Sequence, residues 1–418
     1  MEQREDFITQ YLSYIGETEA PIFYHRWCCL SMIGAYLGRQ YHFKLGHFEI
    51  YPNSYVMLVG TPGTRKSTAI KIMKKVLTGA GYDKISADRS TKEKFLLDLA
   101  GEDSEKSIDD ILDSNLWGTS KDPSEMYIAC DEFNDFIGNG NVEFISLLGT
   151  FWDYTGAPYE NRIKNGKSVS INDPTVSILG GNTPVSFARA FPPEILGQGF
   201  FSRLLLIHGE PTGKRITFPV PPEQSATVEI IKELQRIKST SLGRATLTPV
   251  AQKLLDKIYK SWKGVDDVRF DSYSNRRFTH LLKLCLIISA ARFATSITEA
   301  DVLYASTILT HTEHLMPKAM GEFGKSKNSD ISHKILQILD SAYAPVPQLE
   351  LWTKVHNDLE SLKDLSTIMG NLIQAGKVQW ELNSNPPGFL SKKKLIDTKT
   401  TDTVDYSLLT EEERNMTK

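Results

Sequence analysis

Residues 60–68 read Gly60-Thr61-Pro62-Gly63-Thr64-Arg65-Lys66-Ser67-Thr68 and follow a short apolar run, residues 56–59. Glycines at that spacing let the backbone curl so that its N–H groups face inward as an anion nest. A helix starting at Ser67 would aim its positive end at the same point. This is the chemistry of a triphosphate site, with Lys66 reaching the β- and γ-phosphates and Ser67 holding Mg²⁺. Arg65 stands where a glycine usually precedes the lysine. A second apolar run, residues 126–130, ends in Asp131-Glu132. An acid at such a strand end belongs beside the metal, so Asp131 is expected to hold Mg²⁺ through water and Glu132 to act as general base on the attacking water. A third buried-type strand, residues 175–179, runs into Gly180-Gly181-Asn182-Thr183-Pro184. A polar amide there could position that water, although turn chemistry suits the same residues. Arg203 precedes a further apolar strand, residues 204–207. It reads either as a surface residue or as a finger reaching a neighbouring subunit's nucleotide.

These residues need a parallel α/β frame. The 418 residues are 40% hydrophobic and 24% charged, an ordinary globular composition with room for two or three domains. The net charge of −3 announces no nucleic acid, so any DNA contact must come from local patches. Two patches stand out. Residues 159–171 read as a hairpin turning at Asn165-Gly166, with Arg162, Lys164 and Lys167 around its tip, where cations could grip a phosphate backbone. Residues 331–396 read as three helices and a β-ribbon, a winged-helix pattern, with Lys392, Lys393 and Lys394 beside the wing.

Helices are expected over residues 3–17 and 22–38, then a small hairpin at 41–50; this opening unit reads as a helical lead-in or collar. A strand at 84–87, a helix at 91–100 and an acidic surface insertion at 101–125 follow the first loop. Residues 142–152 form an apolar helix. The pattern from 228 to 316 is helical, with Ser274 or Asn275 as the cap of a helix over 276–294 and Thr298 with Asp301 as a capping pair. Residues 317–330 read as a linker and 397–418 as a disordered tail. Cys28, Cys29, Cys130 and Cys285 show no metal-ligand spacing and read as buried thiols of a reducing compartment. The polar start is no secretory signal, and no segment reads as a membrane span, so a cytoplasmic protein is expected.

The ordered motifs from 55 to 207 resemble the ATPase core of AAA+ proteins, in the branch containing the minichromosome maintenance helicases. GTPGTRKS fits that branch's phosphate loop, which carries a non-glycine before the lysine. Ala129-Cys130-Asp131-Glu132-Phe133 is similar to its metal strand, and Ser177-Ile178-Leu179-Gly180-Gly181-Asn182-Thr183-Pro184 to its sensor strand. Phe201-Ser202-Arg203-Leu204 resembles its arginine-finger step, and Asn275-Arg276-Arg277 its lid. The phrase from Tyr51-Pro52-Asn53 to Thr68 is closer still in texture to phage and plasmid replicative helicase-like ATPases. The large zinc-bearing N-terminal domain of the cellular proteins is not matched.

The resemblance implies an AAA+ core at 51–220, a helical lid at 221–320 and a C-terminal winged helix. The sensor asparagine falls on Asn182 or Thr183, with Asn182 the better chemical match, and the lid sensor arginine on Arg276, with Arg277 adjacent. It implies ATP between subunits of a ring, expected to be hexameric, Arg203 donated from the neighbour, and translocation on single-stranded or forked DNA for replication of a phage or mobile element, with a separate primase or polymerase as a further partner. The alternatives are an initiator or helicase loader that uses ATP as an assembly switch, and a protein-remodelling or defence ATPase.

Overall fold

The computed structural model describes residues 5–101, 123–138, 140–156, 158–162, 168–191, 199–265, 267–321, 327–342, 344–359, 361–374, 378–382, 384, 386–391 and 403–417. It divides into two compact units, Met1–Gly321 with Asp402–Lys418, and Glu322–Thr401.

The first unit is built around helix α2 (Ile22–Leu37), which follows α1 (Phe7–Tyr14). Fifteen of the sixteen residues of α2 are buried, its polar members His25 and Arg26 included. A helix apolar all round has no solvent face and must be enclosed. Here it packs against helix α3 (Lys66–Gly79) and the sheet. The opening unit thus belongs to the same compact unit as the sheet, with α2 enclosed within it. The hairpin β1 (Tyr41–Leu45) and β2 (Phe48–Ile50) forms as expected, Phe43 opposite Ile50.

The sheet is parallel and four-stranded: β3 (Tyr55–Val59), β4 (Glu125–Cys130), β7 (Thr175–Asn182) and β8 (Leu204–His208), in the order β4-β7-β3-β8. β3 is buried at every position, as a strand covered on both faces must be. The strand expected at 84–87 reduces to one bridge, Ile85 to Tyr127. The short pair β5 (Tyr159–Asn161) and β6 (Val169–Ile171) is antiparallel as expected, while its tip, 163–167, lies outside the described residues. So does most of the acidic insertion.

Helices Gln224–Thr240, Pro249–Ser261, Arg277–Ala291 and Glu299–Met320 belong to the same unit, the last packing along β8. The capping pair at Thr298 and Asp301 forms. Neither Ser274 nor Asn275 caps the helix at 277; Ser274 closes a short helix of its own and its hydroxyl donates to the Phe270 carbonyl. The expected linker spans the boundary between the two units, and among its described residues 317–320 continue the helix Glu299–Met320 while the next helix starts at Lys327.

The tail is not disordered over 403–417. Thr410 and Glu413 make a capping box for helix Glu411–Asn415, and Glu413 reaches back to α2. Its carboxylate takes two bonds from the Arg26 guanidinium, at 2.5 and 2.7 Å, with both side chains buried. Glu412 accepts the Ile22 N–H at 2.7 Å and pairs with Lys214 at 3.0 Å. A charged residue inside an apolar helix requires such a partner, and the tail supplies it. Among the described residues no helix is long and apolar enough to cross a membrane.

The second unit holds helices Lys327–Ser341, Gln348–Val355 and Leu362–Gln374, then the antiparallel pair Val378–Glu381 and Gly388–Ser391. Val346 bridges to Phe389. Its own core includes Ile335, Leu351, Leu365, Ile368 and Val378. Lys392, Lys393 and Lys394 lie outside the described residues.

Candidate functional site

Parallel strands end together, and here four ends meet. Val59 stands opposite Asn182 on one side and His208 on the other, and Cys130, opposite Gly180, hands on to Asp131. The crevice beyond the carboxyl ends of such a sheet is where ligands bind. Residues 60–65 turn there, between β3 and α3, and the turn uses left-handed backbone at Gly63 (φ 89°) and at Arg65 (φ 62°). Arg65 thus adopts the conformation for which glycine is usual at that place, at a cost of about 1 to 2 kcal/mol for a side-chain-bearing residue. Its guanidinium pairs with Glu19 at 2.5 Å. Glu19 also accepts the Ile216 N–H at 2.8 Å and, through its carbonyl, the Thr212 hydroxyl at 2.9 Å. The Ile216 bond and Arg65 together lower the Glu19 carboxyl. Glu19 lies in a polar loop and carried no signal in the sequence.

Gly60 is needed for packing. A Cβ there would meet the Tyr24 hydroxyl at 2.5 Å and the Thr64 hydroxyl at 2.7 Å. The Tyr24 hydroxyl donates to the Val59 carbonyl at 2.8 Å, tying α2 to the strand end. Thr61, Pro62 and Gly63 are exposed and Thr64 is buried. The Lys66 ammonium folds back over the turn, donating to the Gly60 carbonyl at 2.8 Å and the Thr64 hydroxyl at 3.2 Å. Burial lowers its pKa, with Glu132 opposing. Ser67 and Thr68 follow in the first turn of α3, Ser67 half-buried and Thr68 exposed.

Asp131 sits 3.4 Å from Lys71 of α3. Desolvation raises the neighbouring Glu132 carboxyl; Lys66 opposes, and Asp135 and Asp131 add to the rise. β7 runs three residues beyond the expected end, to Asn182. Gly180 and Gly181 pair with Met57 and Leu58 in the ladder, and they need to be glycine because the chain leaving β4 passes close over them: a Cβ on Gly181 would overlap the Asp131 carbonyl oxygen. The strand order β4-β7-β3 puts Asn182, at the end of β7, between the turn that follows β3 and the acids that follow β4. Asn182 is fully buried, and neither atom of its amide has a partner among the described residues. Thr183 is spent on capping, accepting the Ser186 N–H at 3.0 Å. Of the two sensor candidates, only Asn182 has unused hydrogen-bonding capacity at this crevice.

An orphaned buried amide, a turn with left-handed backbone at Gly63 and Arg65, and the hard oxygen donors Ser67 and Asp131 fit a triphosphate with Mg²⁺. All four cysteines are buried thiols, Cys130 among them at the end of β4 directly before Asp131.

Arg203 and Arg276 are not in this crevice. Arg203 stands at the other end of β8, roughly 16 Å along the strand from His208. Both arginines turn to Asp153, Arg203 at 3.1 Å and Arg276 at 3.0 Å. Arg277 is spoken for, pairing with buried Glu313 at 2.7 Å and lying over Trp262. Beneath Asp153, His280 Nε2–H donates to the Ser202 carbonyl at 3.1 Å, and burial holds its ring neutral, with a pKa near 3. Buried Lys283 donates to the Asn53 side chain at 2.7 Å and the Tyr51 carbonyl at 2.9 Å.

Burial lowers the Lys283 ammonium to about 7; Asp153 opposes, and Arg39 and Arg203 add to the fall. The unfolded lysine titrates near about 10.4, so between those values the unfolded chain carries a proton that the native one lacks. Its contribution to stability is full above that range and is lost as pH falls through about 7. Melting curves of wild type and Lys283→Met between pH 10 and pH 7 should therefore converge or cross as pH falls, the wild type losing more. Parallel pH dependences would remove this assignment.

Of the DNA-contact candidates, Arg162 is described. It pairs with Glu160 at 2.5 Å on an exposed strand end. Lys164 and Lys167 lie outside the described residues. No protein-family model matches the chain, and no curated protein matches its sequence.

Proposed function

We propose that this chain is an ATPase that works between like subunits and is coupled to DNA, in the manner of a ring helicase. One observation carries the hydrolytic part: Lys66, Asp131, Glu132 and the partnerless Asn182 meet at the carboxyl end of one parallel sheet. The turn amides of residues 61, 63, 65 and 66 would bind the phosphates, and Lys66 would exchange its carbonyl partners for phosphate oxygens. Ser67 and Asp131 would hold Mg²⁺, which when bound neutralises charge on the phosphates. Glu132, with its carboxyl raised by desolvation, would take the proton of the attacking water. Asn182 would orient that water. The remote position of Arg203 and Arg276 suits action on a neighbour's nucleotide. The DNA part rests on the resemblance to helicase-like ATPases and on the basic hairpin.

Strand displacement on a forked duplex tests the whole. Wild type with ATP should open the fork. Glu132→Gln should still bind ATP, lose turnover by about 10² to 10⁴, and open nothing. Vigorous turnover by that variant refutes the role of Glu132. Turnover stimulated by single-stranded DNA without fork opening favours the initiator or loader reading.

A further inference from the structure

At the amino end of β8, one carboxylate is shared by two arginines. Asp153 Oδ1 accepts from Arg203 and Oδ2 from Arg276, at 3.1 and 3.0 Å. Both guanidinium groups lie over the Trp152 ring, 5.7 and 5.9 Å from its centre, and the Lys283 ammonium lies 4.4 Å from it. Trp152 is buried and Arg203 is 9% exposed, while the Asp153 side chain is 41% and Arg276 33% exposed. The cluster is thus walled on one side and open on the other, and Asp153 occupies the opening. Arg203 rests against the backbone at Gly199, where a Cβ would come within 2.6 Å of its Nη1. Its buried Nε has no partner among the described residues, so donor capacity remains unused. Two forked cations facing a single exposed carboxylate form the geometry that guanidinium groups make around a phosphate.

We infer that Asp153 is a built-in stand-in for phosphate: it fills the fork between Arg203 and Arg276 in the lone chain and yields it to the terminal phosphate of a nucleotide held by a second copy. This rests on the reading of a site shared between subunits. Asp153 is then a positioning residue. It keeps both arginines over Trp152, aimed outward, and it makes docking conditional, because an incoming group must outcompete a carboxylate. A triphosphate carries more total charge and extends one phosphate further from the site that holds it than a diphosphate does, so its end reaches the fork where a diphosphate's falls short.

The test is assembly and turnover of the full chain against protein concentration, with ATP or ADP. Asp153→Asn keeps the shape and removes the charge. It should assemble with ATP at a protein concentration at least about tenfold lower than wild type, a shift of ~1.4 kcal/mol, and should begin to assemble with ADP. Nucleotide binding by the dilute chain should not change. Asp153→Glu, which restores the charge, should restore the wild-type threshold, an outcome that a merely structural role would not give. Should Asp153→Asn assemble as wild type does, or lose turnover as severely as Arg203→Ala, the inference is overturned while the shared site stands. A wild type with no concentration-dependent turnover, indifferent to Arg203→Ala, overturns both.

Discussion

Arg203→Ala should lower ATP turnover by about 10³ to 10⁵ at protein concentrations where the wild type is assembled, with nucleotide binding kept. The expectation follows from position. Arg203 lies a strand's length from the turn at residues 60–65, so it can reach no phosphate held by its own chain without unfolding β8. What it can reach is presented from outside, across the open face of Asp153. Mixing supplies the decisive measurement. Arg203→Ala and Glu132→Gln are each expected to be inactive alone, yet a mixture pairs an intact Arg203 with an intact Glu132 at some interfaces and should recover part of the rate. Absence of recovery in mixed assemblies would place Arg203 in a structural role, as anchor of Asp153 and Trp152.

The second large effect concerns stability. Glu413→Ala leaves the Arg26 guanidinium buried without its carboxylate, and removing one partner of a buried pair costs about 3 to 5 kcal/mol. Arg26 is 3% and Glu413 0% exposed, and Arg26 also donates to the Tyr304 hydroxyl, so the charge cannot swing out to water. Chemical denaturation should show the loss as a lower midpoint at unchanged slope. Arg26→Met with Glu413→Leu, which removes both charges, should recover much of it. If Glu413→Ala unfolds as the wild type does, the tail is not anchored as described.

The tail shows why its order escaped a reading by local pattern. Residues 403–417 are polar and carry no apolar periodicity, the signature of a segment without a core of its own. Their fixed place comes from contacts distant in sequence, among them the Glu413 carboxylate meeting an arginine 387 residues earlier and Glu412 accepting the Ile22 N–H. The same holds for α2. Its apolar run was legible, but whether it covered the core as a collar or formed the core depends on what surrounds it.

The residues that could hold a triphosphate were legible because local spacing sets their geometry. The turn at residues 60–68 must follow a strand and open a helix to point its amides inward, and an acid after a buried strand must emerge at the same sheet end. Arg65 was legible as a departure from glycine; only the folded chain shows that it keeps the glycine's left-handed backbone and answers Glu19. Asn182 stood as one of two candidates. The fold separates them: β7 pairs with β3 as far as Asn182, which is buried with unused bonds, while Thr183 caps the next helix. Arg203 and Arg276 were each named from short motifs, but their meeting at Asp153 joins segments 50 and 123 residues apart. Sequence by itself determined which side chains are candidates for the chemistry, because motif spacing is local. Tertiary structure alone decided which of them stand together and which face outward, because that depends on strand order and on burial, and neither is a property of neighbouring residues.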